Sequence, residues 1–271
     1  MPDINLSGAT RTNLLALQRT TDLISRTQER LSTGLKVNSA IDDAISFFQA
    51  RNLSDRAGDL SVLKNSIDQG VSSVETAVNG IEAISDIVDQ MKGIALSAKS
   101  DADTTNRSKA AVQFNDLRAQ LDNLANDASY KGTNLIKGSP ANLKVTFSED
   151  GSSTLTISGV ASDASGLSLA VAASNWAADA DVDTAINDLD SALSTLRSTA
   201  STMGSNASVL TLRLDFTKNL INSLEEGSTK LVNADLNSES ASLLTLQTRQ
   251  QLGTIGLSIA QQSEQSILRL F

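Results

Sequence analysis

Apolar residues recur at helix spacing along both ends of this chain and through most of its interior. In one short stretch the spacing switches to that of a strand. Leu14, Leu17, Thr21, Ile24, Gln28 and Leu31 stand alternately three and four apart, the seam of a heptad repeat. The pattern predicts a helix over 5–33, stopped near Gly34. Ser32–Ala44 reads as a break, in which Asn38, Ser39, Asp42 and Asp43 are capping and first-turn residues for the next helix. A shorter helix over 43–57 and a long one over 58–98 follow. The long one has Leu60, Leu63, Ile67, Val71, Val74, Val78, Ile81, Ile84, Val88, Met91 and Ala95 inward. Its threes and repeated fours predict a locally relaxed supercoil rather than a strict heptad.

A polar loop at 99–106 leads to a helix over 107–128, with Val112, Phe114, Leu117, Leu121 and Leu124 inward. Gly132, Gly138 and Pro140 then punctuate the chain. From 142 to 172 the period becomes two. Leu143, Val145 and Phe147 precede Asp150-Gly151, and Leu155 and Ile157 follow it, which predicts a hairpin. Leu167, Leu169 and Val171 predict a third short strand. Helix period returns over 182–226 through Ile186, Leu189, Leu193, Leu196, Met203, Val209, Leu212, Leu220 and Leu224. It continues, with a break near Gly227–Ser228, to a C-terminal helix. There Ala241, Leu244, Leu252, Ile255, Ile259, Ile267 and Leu270 share one face. Helices, a small β insert and helices of similar length predict a mainly α fold. Its N- and C-terminal segments pair as a long antiparallel bundle or coiled coil, with a small β-hairpin insert.

Composition narrows the function. Aromatics are 3% of the 271 residues, and the apolar content is mostly Ala, Leu, Ile and Val. Such side chains suit helix–helix seams better than a thick core with ligand cavities. A balance of 22 basic to 31 acidic residues argues against nucleic acid, which is bound by neutralising phosphates. With no Cys and no His, thiolate chemistry, the usual activated nucleophiles and Cys- or His-based metal sites are excluded. The most enzyme-like pair is Asp42–Asp43. Adjacent helix residues point about 100° apart and do not share a substrate, so a capped helix start explains them better. Glu225–Glu226 and Asp188–Asp190 read as solvated helix faces, and no Gly-rich segment has the context of a phosphate loop. We therefore expect no enzyme, cofactor or metal. No window approaches ~18 uninterrupted apolar residues, so no membrane span is expected. The N-terminus lacks a basic segment before an apolar run, so no cleaved signal peptide is expected.

LSTGLKVNSAIDDA (Leu31–Ala44) resembles the N-terminal signature of bacterial flagellins. The run from Leu231 to Phe271 resembles their C-terminus, with an Ala-Asp-Leu step at Ala234–Leu236 and a Gln-Gln-x-Gly-Thr step at Gln250–Thr254. Gly70–Ala98 resembles the long first helix of the flagellin core. The match is to the short flagellins of alphaproteobacteria. It implies an extracellular subunit that self-assembles into the flagellar filament for swimming. It further implies secretion by the flagellar type III apparatus, with an export chaperone on the C-terminal helix and hook-associated and cap proteins as further partners.

The resemblance implies two layers. Residues 1–42 and 231–271 form the inner coiled coil, and 43–230 form a core helical domain with the β insert at about 132–178. The usual outer domains are missing. Leu14, Leu17, Ile24, Leu31, Leu244, Leu252, Ile255 and Ile259 are expected as the assembly interface, between the two ends or between subunits. Flagellins sensed by Toll-like receptor 5 carry an Arg in the long first helix and a Glu in the next. Here Gln90 and Gln113 occupy those places, with Ile94 at a nearby aliphatic contact, so weak or no recognition is expected. A hook–filament junction protein, which shares the terminal architecture, is the alternative reading.

Overall fold

The computed structural model describes residues 8–268. Its elements are α1 (Gly8–Thr33), α2 (Ala44–Ser100), α3 (Thr104–Asp127), β1 (Leu143–Thr146), β2 (Thr154–Ile157), a single 3-10 turn (Ala173–Trp176), α4 (Asp179–Val232) and α5 (Leu236–Leu268). They divide into two compact units. One holds the described residues before Ala57 and after Asn222, and the other is Ala57–Asn222. The expected helix start at residue 5 and Leu270 lie outside the described residues, as does the side chain of Ile267.

The first unit pairs α1 with α5. Gly34 ends α1 in a left-handed conformation (φ 73°), with its N–H on the Arg30 carbonyl at 2.8 Å. The chain then pairs with the segment ahead of α5. Leu35 and Asn233 form an antiparallel bridge, the Lys36 N–H donates to the Val232 carbonyl, and the Ala234 N–H donates to that of Gly34. The start of α2 packs on the end of α4 in the same unit. The Ser228 hydroxyl donates to the Ala50 carbonyl, and Gly227 lies against Leu53.

The second unit is a three-helix core. Ile67, Val74, Ile81, Ile84, Val88 and Met91 of α2 pack with Phe114 and Leu121 of α3 and with Leu189, Leu196, Met203 and Leu210 of α4. From Ile67 onward positions 67, 70, 74, 77, 81, 84, 88, 91, 95 and 98 of α2 are buried in a three–four alternation, with Ser73 and Gly80 buried beside them. The seam is therefore more regular than the expected one. Gly70 and Ala77 complete the heptad; Gly70 carries no hydrophobic signal in a sequence and Ala77 only a weak one. A Cβ on Gly70 would sit 2.8 Å from Val145 of β1, so the small residue is what admits the hairpin. Ion pairs Lys92–Asp190 and Lys99–Asp183 bind α2 to α4, and Arg107 of α3 reaches Asp179 at the start of α4.

Four further expectations are corrected. The separate helices 43–57 and 58–98 are one helix, because a lone interior Gly such as Gly58 costs only about 1 kcal/mol and the buried positions Ala57 and Leu60 carry the seam past it. The break near Gly227–Ser228 is absent, because both residues are used in packing; α4 ends instead at Val232. On α3, Val112 faces solvent and Ala111 takes its place in the core. On α4, Val209 and Leu212 are exposed while Leu210 and Leu214 are buried.

The hairpin is present, with Leu143 opposite Ile157 and Val145 opposite Leu155, and Gly151 at φ 71° in its turn. The third strand is not. Residues 160–172 lay their backbone on α3 and on the preceding loop instead. Asp122 accepts from the Ala164 N–H, Asn115 accepts from that of Ala172, and Arg118 donates to the Leu169 carbonyl. The N–H groups of Val160 and Ser162 donate to the carbonyls of Leu135 and Ile136. With those groups satisfied, the alternating Leu167 and Leu169 bury their side chains without a sheet. At the end of this segment Trp176 is fully buried with its ring centroid 5.0 Å from that of Phe114.

Candidate assembly interface

The α1–α5 pair is antiparallel and thin. Thr10, Leu14, Leu17, Thr20, Ile24, Thr27, Arg30 and Leu31 are the buried or half-buried described residues of α1. On α5 the half-buried set after Glu239 is Leu243, Leu246, Gln250, Gly253, Gly256, Leu257 and Ala260. Leu17 lies over Gly253, where an added Cβ would come within 2.7 Å of its Cδ1. Gln250 Nε2 donates to the Thr21 hydroxyl at 3.4 Å, and Arg30 pairs with Glu239 at 3.0 Å. Much of this seam is therefore Thr, Gln and Gly. The buried Thr20 hydroxyl turns back onto its own helix, donating to the Ala16 carbonyl.

The expected assembly residues separate into two groups. Leu14, Leu17, Ile24 and Leu31 lie on the seam within the chain. Leu244, Leu252, Ile255 and Ile259 do not meet them. They stand on the other side of α5, 67%, 65%, 56% and 62% exposed. The residues that sequence reasoning missed are Leu243, Leu246 and Leu257. Their signal was present, since 243, 246, 250, 253, 257 and 260 alternate threes and fours. The helix is apolar on two faces, and Gln250 and Gly253 dilute the one that is used within the chain. On α1 the expected seam residues Thr21 and Gln28 are exposed, and their neighbours Thr20 and Thr27 are buried instead.

The joint after α1 is set by its two carboxylates. Asp42 accepts from the N–H groups of Asn38 and Ser39 and from the Ser39 hydroxyl. Asp43 caps α2, accepting from the N–H groups of Ile45 and Ser46 and from the Ser46 hydroxyl. Both are held below the usual carboxylate range, Asp42 chiefly by the Ser39 N–H and Asp43 chiefly by the Ser46 hydroxyl. The capped-start reading holds for Asp43, whereas Asp42 closes the turn at Asn38–Ser39 ahead of the helix. The receptor positions are surface features of α2 and α3. Gln90 and Gln113 are exposed, and Ile94 is half-buried against the core of the second unit.

Residues 4–141 match the family model described as the bacterial flagellin N-terminal helical region, and residues 182–271 match the bacterial flagellin C-terminal helical region. The chain belongs to the bacterial flagellin family. Among its relatives, the flagellin FljM of Caulobacter vibrioides is 35% identical over 99% of this chain and 98% of its own length. FljK of the same organism is 34% identical with the same coverage. A flagellin of Brucella melitensis is 32% identical over 100% of this chain and 99% of its own. This flagellin is thus of the short alphaproteobacterial type, a structural subunit of the extracellular flagellar filament and not an enzyme. Among the described residues no helix is long and apolar enough to cross a membrane.

Proposed function

We propose that α1 and α5 are the assembly element of this flagellin, and that the outward stripe Leu244, Leu252, Ile255 and Ile259 docks on neighbouring subunits. The single observation that carries this reading is that these four side chains are exposed while the opposite face of the same helix is covered by α1. Burying one such side chain is worth about 1.5–3 kcal/mol, so four supply on the order of 10 kcal/mol before the cost of association. A contact between unlike surfaces whose rotation does not close generates an open filament. In this reading Leu14, Leu17, Ile24 and Leu31 hold the two ends together, residues 1–42 with 231–271 form the inner coiled-coil layer, and 43–230 form the core helical domain.

The same reading extends to partners. The apolar stripe must be shielded before assembly, which suits an export chaperone on α5 and passage through the flagellar type III apparatus. Hook-associated and cap proteins would meet the same ends at the two limits of the filament. Neutral Gln90 and Gln113, where receptor-sensed flagellins carry Arg and Glu, support weak or no Toll-like receptor 5 recognition.

Elongation from short filament seeds, followed by negative-stain microscopy, tests the core of this proposal. The full chain should form long filaments, and a chain lacking residues 1–33 should not while keeping its helical core. A truncated chain that still polymerises overturns the assignment of the ends. A cell reporter driven strongly by purified monomer would overturn the receptor reading.

A further inference from the structure

An Asp-Gly step is chemically vulnerable, because glycine places no side chain in the way of attack by its own nitrogen on the preceding carboxyl. This chain has one such step, Asp150–Gly151, exposed at the tip of the hairpin. In the reaction the Gly151 nitrogen bonds to Asp150 Cγ. One carboxyl oxygen leaves as water, taking the amide proton and the carboxyl proton, and a five-membered succinimide closes. Water then adds to the main-chain carbonyl of Asp150 and breaks its bond to the Gly151 nitrogen. The chain now runs through the side-chain carboxyl, as isoaspartate. One water leaves and one enters, so no oxidant or other reactant is needed.

The reaction requires a free Gly151 N–H and a mobile, protonated Asp150 carboxyl. The folded turn withholds all of these. The Gly151 N–H donates to the Ser148 carbonyl at 3.1 Å. Asp150 Oδ1 accepts from the Ser152 N–H at 3.1 Å and from its hydroxyl at 2.8 Å, which fixes the carboxyl. The Ser148 hydroxyl accepts from the Ser153 N–H at 2.9 Å and stands 3.4 Å from that of Ser152, so the two serines close over the turn. These contacts also keep the carboxyl ionised, a form with no water to lose.

We propose that Asp150–Gly151 is a latent isoaspartate site, held shut by Ser148 and Ser152. Glycine is kept at this exposed tip because residue 151 sits at φ 71°, where other residues are strained. The related Asn79–Gly80 step lies inside α2, where the helix ladder takes up the Gly80 N–H. Isoaspartate at 150 would add a backbone carbon between β1 and β2 and disturb the pairing of Thr146 with Thr154. A subunit of an extracellular filament is out of reach of repair inside the cell, so protection has to be built into the turn itself.

The test ages the full chain, Ser148→Ala, Ser152→Ala and Thr154→Ala in warm, mildly acidic buffer, each folded and in denaturant. Isoaspartate is counted by enzymatic methylation and located by failure of an aspartate-directed protease to cut at residue 150. Each folded rate is divided by the rate of the same chain in denaturant. The unmodified chain should be slowest. Each Ser variant, with unchanged circular dichroism, should be about fivefold faster, the ratio set by a hydrogen bond of about 1 kcal/mol. Thr154 is exposed on β2 and outside these side-chain bonds, so Thr154→Ala should age like the unmodified chain. Ser variants that age no faster than the unmodified chain overturn the proposal. So does a Thr154→Ala chain that gains as much as they do, or an unmodified folded chain that ages as fast as the denatured one.

Discussion

The two units of this flagellin are built from the same kind of helix and put it to opposite uses. In Ala57–Asn222, three helices and a hairpin enclose residues such as Ile84, Leu121 and Leu196, which have no exposure at all. In the other unit, α1 and α5 are only two helices, and two helices cannot cover both faces of either one. Their seam is rich in Thr, Gln and Gly, and the larger aliphatic side chains of α5 point away from it. The difference teaches where stability and adhesion reside. The three-helix core holds the fold, and the two-helix pair leaves its larger aliphatic side chains uncovered, where the proposed assembly contact lies.

Substitutions can break that contrast, and the largest effect belongs to the core. Leu121→Ala should cost about 2–5 kcal/mol, read from denaturant unfolding. Ile24→Ala on the α1 seam should leave the core transition in place and lower only an earlier step. Hydrogen exchange would show this as faster exchange confined to α1 and α5. Equal losses of global stability from both would show that the seam is a core like the other.

Gly80→Val comes next. Even a Cβ there would lie 2.7 Å from Ile136 Cδ1 and 2.9 Å from Ala128 Cβ. Overpacking of this sort costs about 1–3 kcal/mol, visible as a lower Tm. Asp103→Ala removes the side chain that accepts from the Thr105 N–H at the start of α3. It should cost about 1 kcal/mol, with loss of protection in the first turn of that helix. Leu252→Ser should be the smallest in the monomer, within about 0.5 kcal/mol, yet it should abolish seeded elongation. A monomer melting clearly lower would place Leu252 inside the fold rather than on its outside.

Acid separates local from global structure in the same way. In the hairpin turn the Ser148 hydroxyl and the Ser152 N–H and hydroxyl hold the Asp150 carboxyl down to about 2. Its folded value is below the unfolded one. The turn is therefore stabilised above the ordinary carboxylate range, and the contribution is lost as pH falls toward 2. Amide resonances of Ser152 followed by NMR should shift over that window, and a midpoint near the ordinary value would refute the assignment.

Much of this fold was legible in the chain because its devices are local. Asp43 caps α2 from three residues away, and Asp150-Gly151 turns a hairpin between alternating runs. What escaped was whatever depends on small or long-range partners. Gly70 completes the α2 heptad with no apolar signal of its own, and Ala77 with a weak one. The strand expected at Leu167–Val171 was cancelled by Asn115, Arg118 and Asp122, some fifty residues earlier in sequence. The expected assembly residues fall on two different faces, because a helix apolar on two sides does not say which side its own chain covers. Val209 and Leu212 were misplaced on α4 for a similar reason, since helix period alone does not choose between Leu212 and Leu214.

Trp176 is the sole tryptophan of the chain, and it lies wholly within the three-helix core. Among the described residues its indole N–H has no acceptor, and its ring rests against Phe114. The protein therefore carries a native fluorophore that sees one unit and is blind to the other. Its emission should stay blue-shifted and unchanged while α1 and α5 pair, separate or join a filament. It should move to the red only when the core itself opens, so that light from a single side chain tells assembly apart from unfolding.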